Sequence, residues 1–411
     1  MKEGLEAYKP IVGPGEIRDI LQLARYLRGR RLQHINSTYT GGGVAEILSR
    51  VVPLMQEIGL DVHWTVIDGN PEFFDITKSF HNALHGQPIE LTPRMLDAFR
   101  EVTRRNAGKL DREANIVILH DPQPVGLAEH RDGFHGRMVW RCHIDVSRAD
   151  PSVWRFLQGF VSRCDAAIYH LVDFSRNLPI DEFVVPPAID AFSEKNCELP
   201  QEEIDEALER FSVDPNRPIV VQVSRFDRLK DPVGVIEGYR LTRRHQDCQL
   251  VLAGGGAPDD PEGQKVLLEV LEAKGDDPDI FVLDLPPDSH RIINALQRAA
   301  DIVVQKSIRE GFGLVVAEAM WKAKPVIGGN VGGIRRQIIH GVTGYRVNTV
   351  EGLSWRLREL LGDPEKARRM GKLGKEQVRQ NFLLPQYLKN WLMVFLSLEH
   401  PHGNLIDLTK G

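Results

Sequence analysis

Two carboxylates bracket a glycine-rich apolar turn in SIREGFGLVVAEAM, residues 307–320: Glu310 stands before it and Glu318 after it. A carboxylate accepts paired hydrogen bonds from a vicinal diol, so each can hold a ribose or a sugar ring. Gly311 and Gly313 fall where a strand passes into a helix. There the unsatisfied backbone N–H groups and the helix dipole favour a phosphate or sugar hydroxyls. Eight helical positions rotate a side chain by roughly 80°, so Glu310 and Glu318 need not share a target. Each carboxylate alone fits a helix cap or a surface position equally well.

A second group lies in SRFDRLKDP, residues 224–232, where Arg225 and Lys230 are five positions apart on a loop that opens a helix. Two cations at that spacing can converge on one pyrophosphate, or stand as two exposed loop charges. A third is STYTGGGVAEIL, where Gly41, Gly42 and Gly43 run from a strand into a helix. Glycines there admit a ligand close to the backbone, although a tight turn with nothing bound explains them too. G-x-x-x-x-G-K-[ST] is absent, so a Walker-type ATPase is unsupported. VWRCHIDVS sets His143 at a strand end with Asp145 on the same face. His120, in ILHDPQP, is a weaker candidate, because capping adequately explains a His-Asp-Pro turn.

The elements that must position these residues alternate through almost the whole chain. Strand-length apolar runs occur at RLQHIN, DVHWTVI, NIVILH, RMVWRCHI, AAIYHLV and EFVVPP. A second set follows at PIVVQVS, CQLVLAG, DIFVLDL, DIVVQKS, KPVIGG and GYRVN, with helical patterns between. This alternation predicts an α/β fold of two doubly wound parallel sheets, whose ligands sit beyond the carboxyl ends of the strands. The motifs above fall on those ends. The Pro-flanked, acidic stretch 186–218 has no strand pattern and reads as a hinge. The expected domains are therefore 1–200, 201–380 and a tail 381–411. The tail's apolar face, Trp391, Leu392, Val394 and Phe395, should pack back on the first domain.

Composition narrows the function. The 411 residues carry 52 Lys plus Arg against 57 Asp plus Glu, a formal charge of −5, which gives no basic field for nucleic acid. No apolar run approaches the roughly 20 residues that span a bilayer, and the first residues lack a signal-peptide core, so no membrane partner and a cytoplasmic location are expected. The 4 cysteines form no C-x-x-C pair and suggest neither a zinc site nor a disulfide framework. G-x-G-x-x-G followed by a strand-end acid is missing in both halves, which argues against a dinucleotide-dependent oxidoreductase.

SRFDRLKDP, followed some eighty residues later by E-x7-E, with a Gly-rich first turn and VVPPAID before the hinge, resembles the retaining nucleotide-sugar glycosyltransferases of the GT-B fold, family 4 type. The resemblance covers roughly residues 31–385. It implies that Arg225 and Lys230 hold the donor diphosphate, that Glu310 lies against the transferred sugar, and that Glu318 binds the nucleotide ribose. It further implies backbone amides from the turn of Gly311, Phe312, Gly313, Leu314 and Val315, a donor or acceptor contact at Gly42 and Gly43, and a place for His143 beside the sugar.

WTVIDGNPEFFDITKSFHNALHG, with WRCHID, is similar to the trehalose synthases and the related trehalose phosphorylases. That similarity implies acceptor contacts from Asp68, Asn70, Asn82 and Asp145, and reversible transfer of glucose from ADP-, UDP- or GDP-glucose to free glucose. The alternatives are a trehalose phosphorylase, a sucrose-forming retaining transferase and a GT-B nucleotide-sugar 2-epimerase. The resemblance implies no required metal, with Mg²⁺ at most a stimulant, and leaves a homodimer open.

Overall fold

The computed structural model describes residues 4–40, 42–255 and 261–399. Gly41 of the first glycine turn, and the tail beyond 399, lie outside the described residues. The chain folds as two compact units, one running to Pro187 and resuming at Leu384, the other spanning Ala188–Leu383.

The first unit is built on β1 (Arg31–Asn36), β2 (Asp61–Val66), β3 (Ile116–His120), β4 (Arg137–Arg141), β5 (Ala166–Tyr169) and β6 (Asp181–Val184). They form one sheet in the order β2-β1-β3-β4-β5-β6. The second unit holds β7 (Ile219–Val223), β8 (Gln249–Gly254), β9 (Ile280–Asp284), β10 (Ile302–Gln305), β11 (Val326–Gly329) and β12 (Gly344–Val347), ordered β12-β11-β10-β7-β8-β9. Every pairing is parallel.

Helices cover both faces of such sheets, so central strands read as continuous apolar runs: β3 (IVILH) and β7 (IVVQV) are buried at every position. The twelve strands lie where the sequence predicts them. In each sheet the strand order reverses once, between β1 and β3 and between β7 and β10. The carboxyl ends at such a reversal are left uncovered by crossover helices, which is why ligands collect there.

The boundary between the units lies at Pro187–Ala188 rather than at 200, for identifiable reasons. Ile189 bridges to Leu383 and its N–H donates to the Phe382 carbonyl at 2.8 Å. Asn294, on the helix His290–Ala299, donates to the Glu194 and Cys197 carbonyls, each at 2.9 Å. The stretch read as a hinge also contains a helix, Gln201–Arg210, whose Ile204, Ala207 and Leu208 are buried.

The helix Leu384–Glu399 belongs to the first unit. Trp391, Leu392, Val394 and Phe395 are all buried, and Lys389 reaches Glu16 at 3.0 Å and Asp19 at 3.1 Å on the helix Pro14–Tyr26. Near it lies a buried charge. Arg141 is fully buried and donates to the Tyr169 carbonyl at 3.0 Å and the Val185 carbonyl at 2.6 Å. Burial pulls its pKa down, opposed by Tyr387, Cys142 and Asp121. Asp121, at positive φ before the short helix Pro122–Val125, accepts from the His143 N–H at 2.7 Å. Burial raises its pKa from 3.8 to about 7, against the His143 hydrogen bond and the Arg141 charge.

Trp391→Ala should cost about 3–5 kcal/mol, read as a drop in unfolding free energy by denaturant titration. A second expectation concerns pH. A carboxyl whose pKa is higher folded than unfolded binds more protons in the folded state, so its contribution to stability falls as pH rises from about 4 to about 7. The wild-type melting temperature should therefore decline across that window relative to Asp121→Asn, and parallel curves would contradict the raised pKa.

Candidate active site

The strand reversal of the second sheet brings two loops together. The loop after β7 carries Arg225 and Lys230, and the loop after β10 carries Glu310; the Lys230 Nζ donates to Glu310 Oε2 at 2.7 Å. The two side chains are 19% and 11% exposed, so the pair is largely withdrawn from water and costly to break from one side. Several contacts fix it. The buried Gln222 of β7 donates its amide to the Lys230 carbonyl at 2.9 Å, and the Ile308 N–H donates to the Leu229 carbonyl at 2.9 Å, joining the loops. Ser307 Oγ donates to Glu310 Oε2 at 3.3 Å and is itself met by Gln305 Nε2 at 3.0 Å. Lys306 pairs with Asp231, which caps the helix Pro232–Arg243.

The glycine turn follows. Gly313, at φ 80°, caps the helix Leu314–Trp321; the Val316 N–H donates to the Gly313 carbonyl at 3.0 Å, and the Leu314 and Val315 amides precede the helix's own i→i−4 bonds. Gln337 Nε2 donates to the Phe312 carbonyl at 2.6 Å, pinning the turn from below. A Cβ at Gly332 would lie 1.7 Å from the Glu310 carbonyl oxygen, so no other residue fits without displacing the carboxylate's own backbone.

Other candidates fare differently. Arg225 is mostly exposed and stands 3.6 Å from Asp227, so the pair the loops enforce is Lys230 with Glu310 rather than Lys230 with Arg225. Glu318 is buried at 4% exposure inside its helix, one turn before Lys322. Lys322 Nζ donates to Asn196 Oδ1 and to the Glu318 carbonyl, each at 3.2 Å. Burial lowers its pKa to about 7, with the Glu318 charge opposing.

In the first unit, Gly42, at φ 81°, and Gly43 open the helix Gly42–Glu57 and are exposed. The preceding loop is tied to the end of β2: Trp64 Nε1 donates to Asn36 Oδ1 at 2.8 Å, and the Tyr39 ring meets the Trp64 ring edge-on at 5.0 Å. Asp68 is exposed and paired with Lys109 at 2.8 Å. Asn70 caps the helix Pro71–Leu84 through the Phe73 N–H at 2.9 Å, which accounts for its side-chain oxygen. Asp145 Oδ1 accepts from the Ser147 N–H at 3.0 Å and hydroxyl at 2.6 Å. Asn82 is half-buried on the same helix as Phe73.

His143 is joined by three histidines, of which only His120 stands out in the sequence. His34 Nδ1 lies 2.9 Å from His120 Nε2, His120 Nδ1 lies 2.9 Å from His143 Nε2, and His143 Nδ1 lies 3.3 Å from His170 Nε2. His120 is therefore a member of this row and not merely a turn residue. The signal was present: β1 carries QHIN, and β3, β4 and β5 run out in ILH, RCH and IYH. Burial holds His34 down to about 3, and burial first, then neighbouring rings and Arg141, lowers His120 and His143 well below the usual imidazole value. These rings are neutral at physiological pH.

A cation–carboxylate pair beside a glycine turn at a strand reversal suits an anionic ligand carrying hydroxyls. Among the described residues, no group of three or more His, Cys, Asp or Glu is placed to hold a metal ion, and no helix is long and apolar enough to cross a membrane.

Comparison with known proteins accords with this geometry. Residues 34–176 match the family model "Trehalose synthase, N-terminal domain", and 203–377 match "Glycosyl transferases group 1". The chain is 45% identical over 406 residues to a trehalose synthase of Pyrococcus horikoshii, covering 97% of each chain. It is 43% identical to one of Rubrobacter xylanophilus, covering 96% of this chain and 97% of the other. A trehalose phosphorylase of Pleurotus pulmonarius is more distant, 28% identical over 98% of this chain and 62% of its own length. Among solved structures, a sucrose-phosphate synthase from Thermosynechococcus elongatus superposes with TM-score 0.71 at 18% identity, covering 90% of this chain and all of that one. A UDP-forming α,α-trehalose-phosphate synthase from Burkholderia xenovorans gives TM-score 0.72 at 14% identity with the same coverage. Strand ends, glycine turn and relatives converge: the chain belongs to the trehalose synthase family of GT-B glycosyltransferases.

Proposed function

We propose that this glycosyltransferase reversibly joins glucose from a nucleoside-diphosphate glucose to free glucose, forming trehalose with retention at the donor carbon. The observation that carries the reading is the Lys230–Glu310 pair, 2.7 Å apart at the strand reversal of the second sheet and flanked by the Gly313 helix start. Its family membership supplies the trehalose link.

In the proposed reaction the acceptor oxygen bonds to the donor's anomeric carbon as the bond from that carbon to the diphosphate breaks. The departing phosphate oxygen takes the acceptor's proton, so atoms and charge balance without a protein base. Lys230, Arg225 and the amides from Gly311 to Val315 neutralise the leaving diphosphate. Glu310 orients the glucose, Glu318 holds the ribose, and His143, Asp68, Asn70, Asp145 and the Gly42–Gly43 turn serve the sugar and acceptor side. The motifs offer no evident pair of carboxylates of the kind a double-displacement glycosidase holds roughly 5 Å apart, which favours substitution on one face. Rate acceleration then comes from positioning and from stabilising charge as it develops. No step uses a metal.

One observation favours a second reading, phosphorolysis of trehalose: Glu318, the carboxylate assigned to the ribose, is buried beside Lys322.

Incubation with trehalose and, separately, ADP, UDP, GDP or inorganic phosphate distinguishes the two. The transferase releases glucose with a new sugar nucleotide, whereas glucose phosphate from inorganic phosphate would establish the phosphorylase. Lys230→Ala should lower kcat at least about a hundredfold, because leaving-group charge develops in the transition state. Glu318→Ala should raise the donor KM about tenfold with kcat within about threefold, because ribose contacts are made equally before and during reaction. A purely KM effect in both variants would contradict these roles.

A further inference from the structure

The histidine row has a direction, and the direction specifies what His143 can offer a ligand. β1, β3, β4 and β5 are consecutive neighbours, with registers His34↔Ile118, His120↔Arg141 and Arg141↔Ile168. Side chains alternate faces along a strand, so stepping two residues from Ile118 to His120, from Arg141 to His143 and from Ile168 to His170 keeps all four histidines on one face. Interplanar angles of 29° and 21° hold the first three rings near a common plane. A neutral imidazole has one N–H and one acceptor nitrogen, so in a nitrogen-to-nitrogen row the tautomer of one ring dictates the next.

The buried end breaks the tie between the two directions. His34 is fully buried, and its Nε2 has no hydrogen-bond partner among the described residues. A proton there would strand a buried N–H, a costlier defect than an unused lone pair. The Trp391 indole, edge-on to His34 at 5.8 Å, brings a donor and no acceptor to that end. His34 therefore carries its proton on Nδ1 and donates to His120 Nε2. His120 donates from Nδ1 to His143 Nε2, and His143 donates from Nδ1 toward His170.

The row opens outward at its third ring. His34, His120 and His170 are buried, whereas His143 is half-buried, and its 3.3 Å link to His170 is the longest of the three. We propose that His120, backed by His34, is a positioning residue that locks His143 as a neutral Nδ1–H donor, which exchanges its His170 partner for an oxygen of the bound sugar. The proposal rests on the reading that His143 stands beside the sugar. It makes His143 a donor to oxygen rather than a general base. The Arg141 charge opposes protonation of His120 and His143.

Nitrogen-15 NMR of the full chain labelled on histidine tests the tautomers without any turnover. The expected spectrum shows Nδ1 protonated and Nε2 unprotonated for His34, His120 and His143 at neutral pH. An Nε2–H tautomer or an imidazolium at His143 would overturn the proposal whether or not the enzyme makes trehalose. Activity adds a readout that packing alone would not move. In His120→Gln the amide takes the place of Nε2 and keeps a partner for His34 but gives His143 no donor; in His120→Asn the amide takes the place of Nδ1 and restores that donor. His120→Gln should lower kcat at least about tenfold, and His120→Asn should regain most of the loss at a similar melting temperature. Equal losses of kcat in the two variants would reduce His120 to a packing residue. Absence of turnover in the wild type with the expected NMR spectrum would instead refute the trehalose reading alone.

Discussion

The ion pair between Lys230 and Glu310 is the constraint around which the second unit's strand ends are organised. Its partners are eighty residues apart in sequence, and the reversal of strand order between β7 and β10 makes them neighbours. Two largely buried charges hold their geometry only if their surroundings are fixed, because the desolvation cost is repaid by close contact and supporting hydrogen bonds. The supports are specific: Gln222 grips the Lys230 carbonyl, Leu229 receives the Ile308 N–H, and Gly332 leaves room for the Glu310 backbone. A polar Gln in the buried run of β7 is thus explained by the loop it holds.

The first unit solves a different problem. Its strand ends carry a row of imidazole rings, which burial keeps neutral, beside the buried Arg141. The helix Leu384–Glu399 sets Trp391 against His34, with Tyr387 near the buried Arg141. The chain thus returns to its first unit with residues that bear directly on the histidine face. A neutral row imposes hydrogen-bond direction without adding a second positive centre to a reaction in which charge must be concentrated at the leaving group.

The sheets were legible because strands buried on both faces must be apolar throughout, and GT-B membership was legible from motifs at strand ends. Placement of side chains was less so. Arg225 and Lys230 look equivalent in SRFDRLKDP, yet only the fold reveals that Lys230 turns inward to Glu310 while Arg225 remains exposed. Glu318 reads as a carboxylate on the helix after the glycine turn, and the fold adds its burial one turn before Lys322. Asn70 carries the signature of a helix cap immediately before Pro71, and its side chain accepts from the Phe73 N–H. The histidine row required register: four histidines at strand ends mean little until strand order brings β1, β3, β4 and β5 side by side.

The central claim is that the loops after β7 and β10 form a nucleoside-diphosphate site governed by Lys230. Calorimetric titration of ADP, UDP and GDP into the wild-type protein and into Lys230→Ala tests it without requiring turnover. The account predicts saturable binding of at least one of them, weakened at least about tenfold by the substitution, as loss of a charge-assisted contact to phosphate requires. Equal affinity in the two proteins, or binding of inorganic phosphate and no nucleotide, would contradict it.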